Sequence, residues 1–219
     1  MKQKNQLALI ISAVAISLGS TLAATAQTSD VAVSSSPTEE SGAGMIGTNY
    51  SALSFRYSDL KSSPASAFRG AEIEFNQAWK PGLDFSLSYD WARASADALR
   101  LTSQDLNTGV TVFSKLDWGK PFVQALAGWE WRRGGGGSDN SFAYTIGTGV
   151  EFQLSHQFVV TPYINFVRAT GFNRSELDYG VKGTYRITRQ WGVSVGAELD
   201  AVRHAKDAMT YTVGVNYHY

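Results

Sequence analysis

Leu83-Asp84-Phe85-Ser86-Leu87-Ser88-Tyr89-Asp90-Trp91 alternates without a break, with Leu83, Phe85, Leu87, Tyr89 and Trp91 on one parity and Asp84, Ser86, Ser88 and Asp90 on the other. Successive side chains of an extended chain point to opposite faces, so this stretch predicts a strand with one apolar and one polar face. Upstream, Lys80-Pro81-Gly82 is a turn signal. Before it, Ala71, Ile73, Phe75 and Trp79 oppose Gly70, Glu72, Glu74 and Asn76, and earlier still Leu53, Phe55 and Tyr57 oppose Ala52, Ser54 and Arg56. The pattern continues downstream. Val123 to Trp131, Phe142 to Phe152, Val160 to Phe166, Leu177 to Ile187, Trp191 to Leu199 and Met209 to Tyr219 all alternate, and Leu106 to Val112 does so less clearly, with an ambiguous start near Leu99. The sequence predicts ten strands, or eight if the weak fourth segment and a neighbour are not separate crossings.

Alternation alone does not say whether the apolar face meets a protein core or lipid, because a soluble β-sandwich shares it. Three features favour lipid. Many of the runs are 10 to 13 residues long, whereas soluble strands average about 5–6 and a tilted membrane-crossing strand needs about 9–11. The connections read as alternately tight (KPG, LDWGK, SHQ, TRQ) and longer and polar (SDLKSSPASA, ARASADAL, RRGGGGSDN, ATGFNRSE, AVRHAKDA), as in barrels with short periplasmic turns and longer external loops. Aromatics gather at strand ends in two sets. Trp79, Phe85, Phe152, Tyr185, Trp191, Tyr217 and Tyr219 form one, and Tyr57, Tyr89, Trp91, Trp129, Trp131, Tyr144, Tyr179 and Tyr211 the other. An indole or phenol has an apolar body and a polar tip, which suits headgroup level. An even strand count also lets the sheet close with both termini on one side, leaving no open edge in hydrocarbon.

The expected fold class is therefore all-β: a transmembrane, antiparallel, up-and-down β-barrel over residues 47–219. Residues 1–26 read as a signal peptide, with Lys2 and Lys4 ahead of the apolar run Leu7 to Leu18 and a small-residue site at Ala24 and Ala26 that predicts cleavage before Gln27. Residues 27–46 read as a flexible lead-in, rich in Ser, Thr, Gly and Glu; a plug or partner-binding tail is the alternative, with no residue to recommend it. The chain of 219 residues has 19 basic and 19 acidic side chains and no cysteine. That balance disfavours a nucleic-acid partner, and the missing thiols exclude disulfides, thiolate metal sites and lipidation.

The terminal stretch Thr212-Val213-Gly214-Val215-Asn216-Tyr217-His218-Tyr219 is similar to the C-terminal assembly signal of bacterial outer-membrane barrels, with Thr212, Gly214, Tyr217 and Tyr219 at the matching positions. The chain resembles the small outer-membrane β-barrel proteins, the OmpA-type and opacity-type barrel domains, over about Gly47 to Tyr219. It ends in tyrosine where those relatives usually end in phenylalanine, and the predicted ten strands exceed the commoner eight. The resemblance implies an outer-membrane location, lipid and lipopolysaccharide as surroundings, and the barrel-assembly machinery as a partner in biogenesis. No peptidoglycan-binding domain is read, so the tethering role of two-domain relatives is not expected.

The polar parity carries Arg56, Glu72, Glu74, Asp84, Asp90, Glu130, Glu151, Asp178, Lys182, Arg186, Glu198 and Asp200. If the Lys80-Pro81-Gly82 turn sets the register, Glu72 faces Asp90, Glu74 faces Ser88, and Arg56 falls near Glu72. A lumen-filling charge network is the expected role, because barrels of about eight strands are just filled by side chains. The alternative is a narrow cation-preferring pore. No catalytic group, metal or cofactor is expected: His156 falls in a turn, His218 in the last strand, and His204 in a loop beside Asp200 and Asp207 with no recognisable spacing to a nucleophile. An outer-membrane hydrolase and a secreted soluble β-protein remain the lesser alternatives. The run Gly134 to Gly137 lacks the Lys and Ser/Thr of a phosphate loop, and Asn173-Arg174-Ser175 matches a glycosylation triplet of a kind common by chance. Pro162, which offers no N–H to a ladder, is expected near the periplasmic end, at a bulge.

Overall fold

The computed structural model describes residues 44–59, 67–96, 99–134, 137–202 and 207–219; the signal peptide, its cleavage site at Ala24, Ala26 and Gln27, most of the lead-in, and His204 lie outside them. Ten antiparallel strands follow one another: β1 (Tyr50–Asp59), β2 (Ala67–Lys80), β3 (Leu83–Ala96), β4 (Leu99–Phe113), β5 (Lys120–Gly134), β6 (Gly137–Gln153), β7 (Phe158–Ala169), β8 (Arg174–Arg186), β9 (Trp191–Val202) and β10 (Ala208–His218). Each pairs with its sequence neighbours, and β1 closes on β10 from Tyr50↔His218 to Asp59↔Met209. The eight-strand alternative falls: β4 is a separate crossing of 15 residues that begins at Leu99.

The barrel is inside out relative to a soluble protein. Phe55, Val195 and Val213 are 56%, 60% and 55% exposed, whereas Glu72, Asp90 and Asp200 are 4%, 1% and 0% exposed. Burying one such apolar side chain contributes roughly 1.5–3 kcal/mol, so a wall of Leu, Ile, Val and Phe turned outward is stable only where the outside is lipid. Trp79, Trp118, Tyr185, Trp191 and Tyr219 ring the end where β1 begins and β10 ends, here the terminal end, and Tyr57, Tyr89, Trp91, Trp129, Trp131, Tyr179 and Tyr211 ring the distal end. Trp118, in the β4–β5 connection beside Phe152 at 6.1 Å, joins the first ring although the alternation does not reach it.

The connections do not alternate in length as the sequence suggests. At the distal end β3–β4 and β5–β6 are joined by residues 97–98 and 135–136, while the β4–β5 connection at the terminal end runs from 114 to 119. Most of ARASADAL and RRGGGGSDN, and the Arg174-Ser175-Glu176 part of ATGFNRSE, is strand. Beyond the lipid belt neither face of a strand needs to be apolar, so these extensions carry no alternation and read as loops.

The Pro81–Gly82 turn has Gly82 at φ 78°, the left-handed position that follows proline in a type II turn. It fixes Glu72↔Asp90 and Glu74↔Ser88 in register, with one irregularity at Ala78/Lys80. Pro162 sits in the terminal half of β7, facing outward. The β6–β7 ladder lacks pairs between Gly149↔Tyr163 and Phe152↔Val160, yet its register is the same on both sides. The missing N–H is accommodated by a gap in pairing, not by the expected bulge.

Val195 lies midway between the two aromatic rings, opposite Val213 on β10. Val195→Arg should lower the unfolding free energy by about 2–4 kcal/mol, measured by urea unfolding in phospholipid vesicles; unchanged stability would mean that this face does not meet hydrocarbon.

Candidate functional site: the filled lumen and its mouth

At the terminal end the chain ahead of β1 turns into the barrel. Gly44, Met45 and Ile46 are buried there, an arrangement closer to the plug alternative than to a flexible lead-in. The Met45 and Ile46 amides donate to Glu151 Oε2 at 2.9 and 3.2 Å. Lys120 Nζ spans Glu151 Oε1 and the Ile46 carbonyl, 2.9 Å to each. Arg186 donates to the Gly44 carbonyl at 3.3 Å, and the Gly47 amide donates to Asp84 Oδ2 at 2.7 Å. Gly47 has φ 76°, and a Cβ there would run into the Phe113 ring, so the bend needs glycine. Ile46 packs between Phe113 and Phe122, and Met45 against Tyr50 and Ala52.

The middle of the lumen is packed by pairing large side chains with glycines. The Tyr163 ring lies over Gly180 and the Phe122 ring over Gly149, each occupying the place a Cβ would take. Gln124 donates to Asn165 at 2.6 Å across this layer. A cavity of about 30 Å³ remains between Arg56, Glu72, Tyr163 and Lys182. That is the space of about one water molecule.

Toward the distal end the interior is ionic. Arg56 lies 2.6 Å from Glu72 and 3.5 Å from Asp90. Glu130 is held by Arg132 at 2.5 Å and Arg174 at 3.2 Å, and Arg174 is 3.6 Å from Glu176. Tyr163 donates its hydroxyl to Glu198 and Thr210 donates to Asp200, both at 2.8 Å. Above this layer the Arg132 guanidinium stacks 4.1 Å from the Phe172 ring, which the β7–β8 turn brings over the lumen.

The charged residues singled out from sequence thus do not form one network. Arg56, Glu72 and Asp90 meet; Glu130 belongs to a second set; Glu74 stands apart, accepting from the Tyr50 hydroxyl at 2.8 Å. Asp84, Glu151 and Arg186 are at the mouth, bonded to residues 44–47. Lys182 lines the small cavity, and Glu198 and Asp200 gather with Asp178. The charged set read from sequence leaves out Arg132, Arg174, Glu176 and Lys120, and also Asp105, although the polar parity of the fourth strand includes it. All but Lys120 continue the inward parity by twos from residues already placed (Glu130 to Arg132, Asp178 back to Arg174), so extending the strands would have found them. Of the assembly-signal residues, Gly214 faces inward near Ser54 and Ser194, and Tyr217 packs 4.9 Å from Trp191 and 6.4 Å from Tyr219. His218 points inward, 3.1 Å from Arg186, and His156 is exposed in its turn.

Removing one partner of a buried ion pair leaves the other uncompensated. Arg56→Met should therefore destabilise the barrel by about 3–5 kcal/mol, and adding Glu72→Gln with Asp90→Asn should restore much of that loss. Urea unfolding of the single and triple variants is the measurement; a single variant as stable as the parent would show that Glu72 and Asp90 do not depend on Arg56.

No protein-family model matches the chain, and no curated protein matches its sequence. Among solved structures it is similar to an outer-membrane channel from Pseudomonas putida F1, at 9% identity and a TM-score of 0.51, covering 84% of this chain and 100% of that one. The beta domain of the Bordetella autotransporter BrkA (12% identity, TM-score 0.48, 78% and 99% covered) and neisserial surface protein A (11%, 0.41, 79% and 97%) are also similar. At these identities the likeness is one of fold: the chain is a closed, ten-stranded, up-and-down barrel, and it shares the barrel fold with an outer-membrane channel.

Proposed function

We propose that the chain is an integral outer-membrane protein with a structural or surface role, non-catalytic, whose lumen is closed to solutes. The observation that supports this best is the mouth: residues 44–47 are bonded to Asp84, Lys120, Glu151 and Arg186, on four different strands, with the packed glycine layer directly behind them. In this reading residues 1–26 are removed on export, and Thr212, Gly214, Tyr217 and Tyr219 engage the barrel-assembly machinery. The surface that meets partners is then the outer wall and distal rim.

Lipopolysaccharide is the partner whose chemistry suits that wall. Arg69, Arg93 and Arg133 face outward just beyond the distal aromatic ring and are exposed. Arg69 is directly opposite Arg93, and Thr102 links Arg93 to Arg133 across β4. Like charges facing each other across strands repel, and a phosphate between them reverses that cost. Vesicles containing lipopolysaccharide should raise the unfolding midpoint more than vesicles of phosphatidylglycerol at equal charge, and the Arg69→Gln, Arg93→Gln, Arg133→Gln triple variant should lose the difference. Equal midpoints in the two lipids would remove lipopolysaccharide as a specific partner.

A second reading, a narrow cation-preferring pore, draws on the excess of carboxylates over bases among the described inward-facing residues. Conductance in a planar bilayer separates the two. The refolded protein should show no steady open level; a stable cation-selective level, weakened by Glu72→Gln with Asp90→Asn, would replace the closed-barrel reading with the pore.

A further inference from the structure

We propose that the distal lumen holds one hard divalent cation, with Ca²⁺ preferred, between Asp178, Glu198 and Asp200. Asp178 on β8 is directly opposite Asp200 on β9, and Glu198 lies two residues along β9 on the same inward face. One carboxylate oxygen from each lies within 4.8 Å of the other two. Asp178 and Asp200 are fully buried and Glu198 is 5% exposed. Three carboxylates so close in a site shielded from water repel strongly unless a positive charge lies among them.

Arg56 attracts Glu198 and Arg174 attracts Asp178, so the neighbouring side chains supply that charge only in part. Tyr163 and Thr210 each donate a hydroxyl, to Glu198 Oε2 and Asp200 Oδ2. Arg174, a basic group on the same strand as Asp178, is also engaged with Glu130 and Glu176. Arg56 is engaged with Glu72 and Asp90. Neither oxygen of Asp178 has a hydrogen-bond partner, and Asp200 Oδ1 has none either. Hydroxyls from outside the cluster orient two of the carboxylates, and Asp178 brings two unpartnered oxygens to it, as a ligand set requires.

The donor chemistry selects the ion. All the donors are oxygen, which favours Ca²⁺ or Mg²⁺ over metals that seek nitrogen or sulfur. The three oxygens lie within 4.8 Å of one another, close enough for one ion to draw together, and an enclosed, irregular carboxylate site suits Ca²⁺ better than Mg²⁺, which demands near-ideal octahedral geometry and keeps several waters.

The test is calorimetric titration of the full-length barrel, refolded in zwitterionic detergent, free of lipopolysaccharide and stripped with a chelator. CaCl₂ should bind saturably with one ion per chain and raise the melting temperature, and MgCl₂ should bind at least tenfold more weakly. Asp178→Asn, nearly isosteric, should lose at least tenfold in Ca²⁺ affinity while keeping the gel mobility of a folded barrel. Asp84→Asn at the mouth should bind as the parent does. Should Asp178→Asn fail to fold, tyrosine-sensitised Tb³⁺ emission from the parent, displaced by Ca²⁺, gives the same reading through the nearby Tyr163. Absence of saturable binding, with no displaceable Tb³⁺ emission, or Ca²⁺ affinity unaltered by Asp178→Asn, would overturn the proposal and leave shared protons as the neutralising charge.

Discussion

The barrel depends on one constraint, the pairing of every backbone N–H and C=O that lies at hydrocarbon depth. Lipid offers no hydrogen bonds, and each group left open costs several kcal/mol. The closing pair of β1 with β10, in register over the whole of β1, is what removes the last two edges. All else in the fold follows from that closure. With the sheet joined to itself, one face must meet lipid and the other must fill a cylinder. The same alternation that buries valine in a soluble sandwich here buries glutamate.

A polar interior is costly to assemble, since each buried charge gives up water and recovers the loss only through well-placed partners. The protein meets this locally. Arg56 serves two acids and Glu130 takes two arginines. In the middle, tyrosine, phenylalanine and glutamine set against glycine fill the space beside the charged groups. Rigidity follows from this division, because no single layer can rearrange without stranding a charge or opening a void.

The crossings within lipid were legible because lipid imposes a pattern: strict parity from Leu83 to Trp91, and its recurrence, gave the strand count, the register of Glu72 with Asp90 and the two aromatic rings. Legibility stopped where that demand stops. Past the distal ring the ladder continues by hydrogen bonding alone, so Arg132 and Arg174 look like loop residues although they point inward. Gly44-Met45-Ile46 gave no signal either, because a short segment held through its backbone needs no side-chain periodicity. The gathering of Asp178 with Glu198 and Asp200 required the β8–β9 register, and the tight Thr188-Arg189-Gln190 connection has no Pro or Gly to define its turn type.

The inserted N-terminal segment also has a mechanical meaning. A thin-walled cylinder fails by flattening, one diameter shrinking as the other grows, and lateral pressure in a membrane pushes in that direction. Asp84, Lys120, Glu151 and Arg186 reach inward from β3, β5, β6 and β8 to a common axis formed by residues 44–47. They act as spokes to a hub. Ovalisation at that end would have to stretch some of these bonds while compressing others, so the cross-section is held round by the chain's own leading segment.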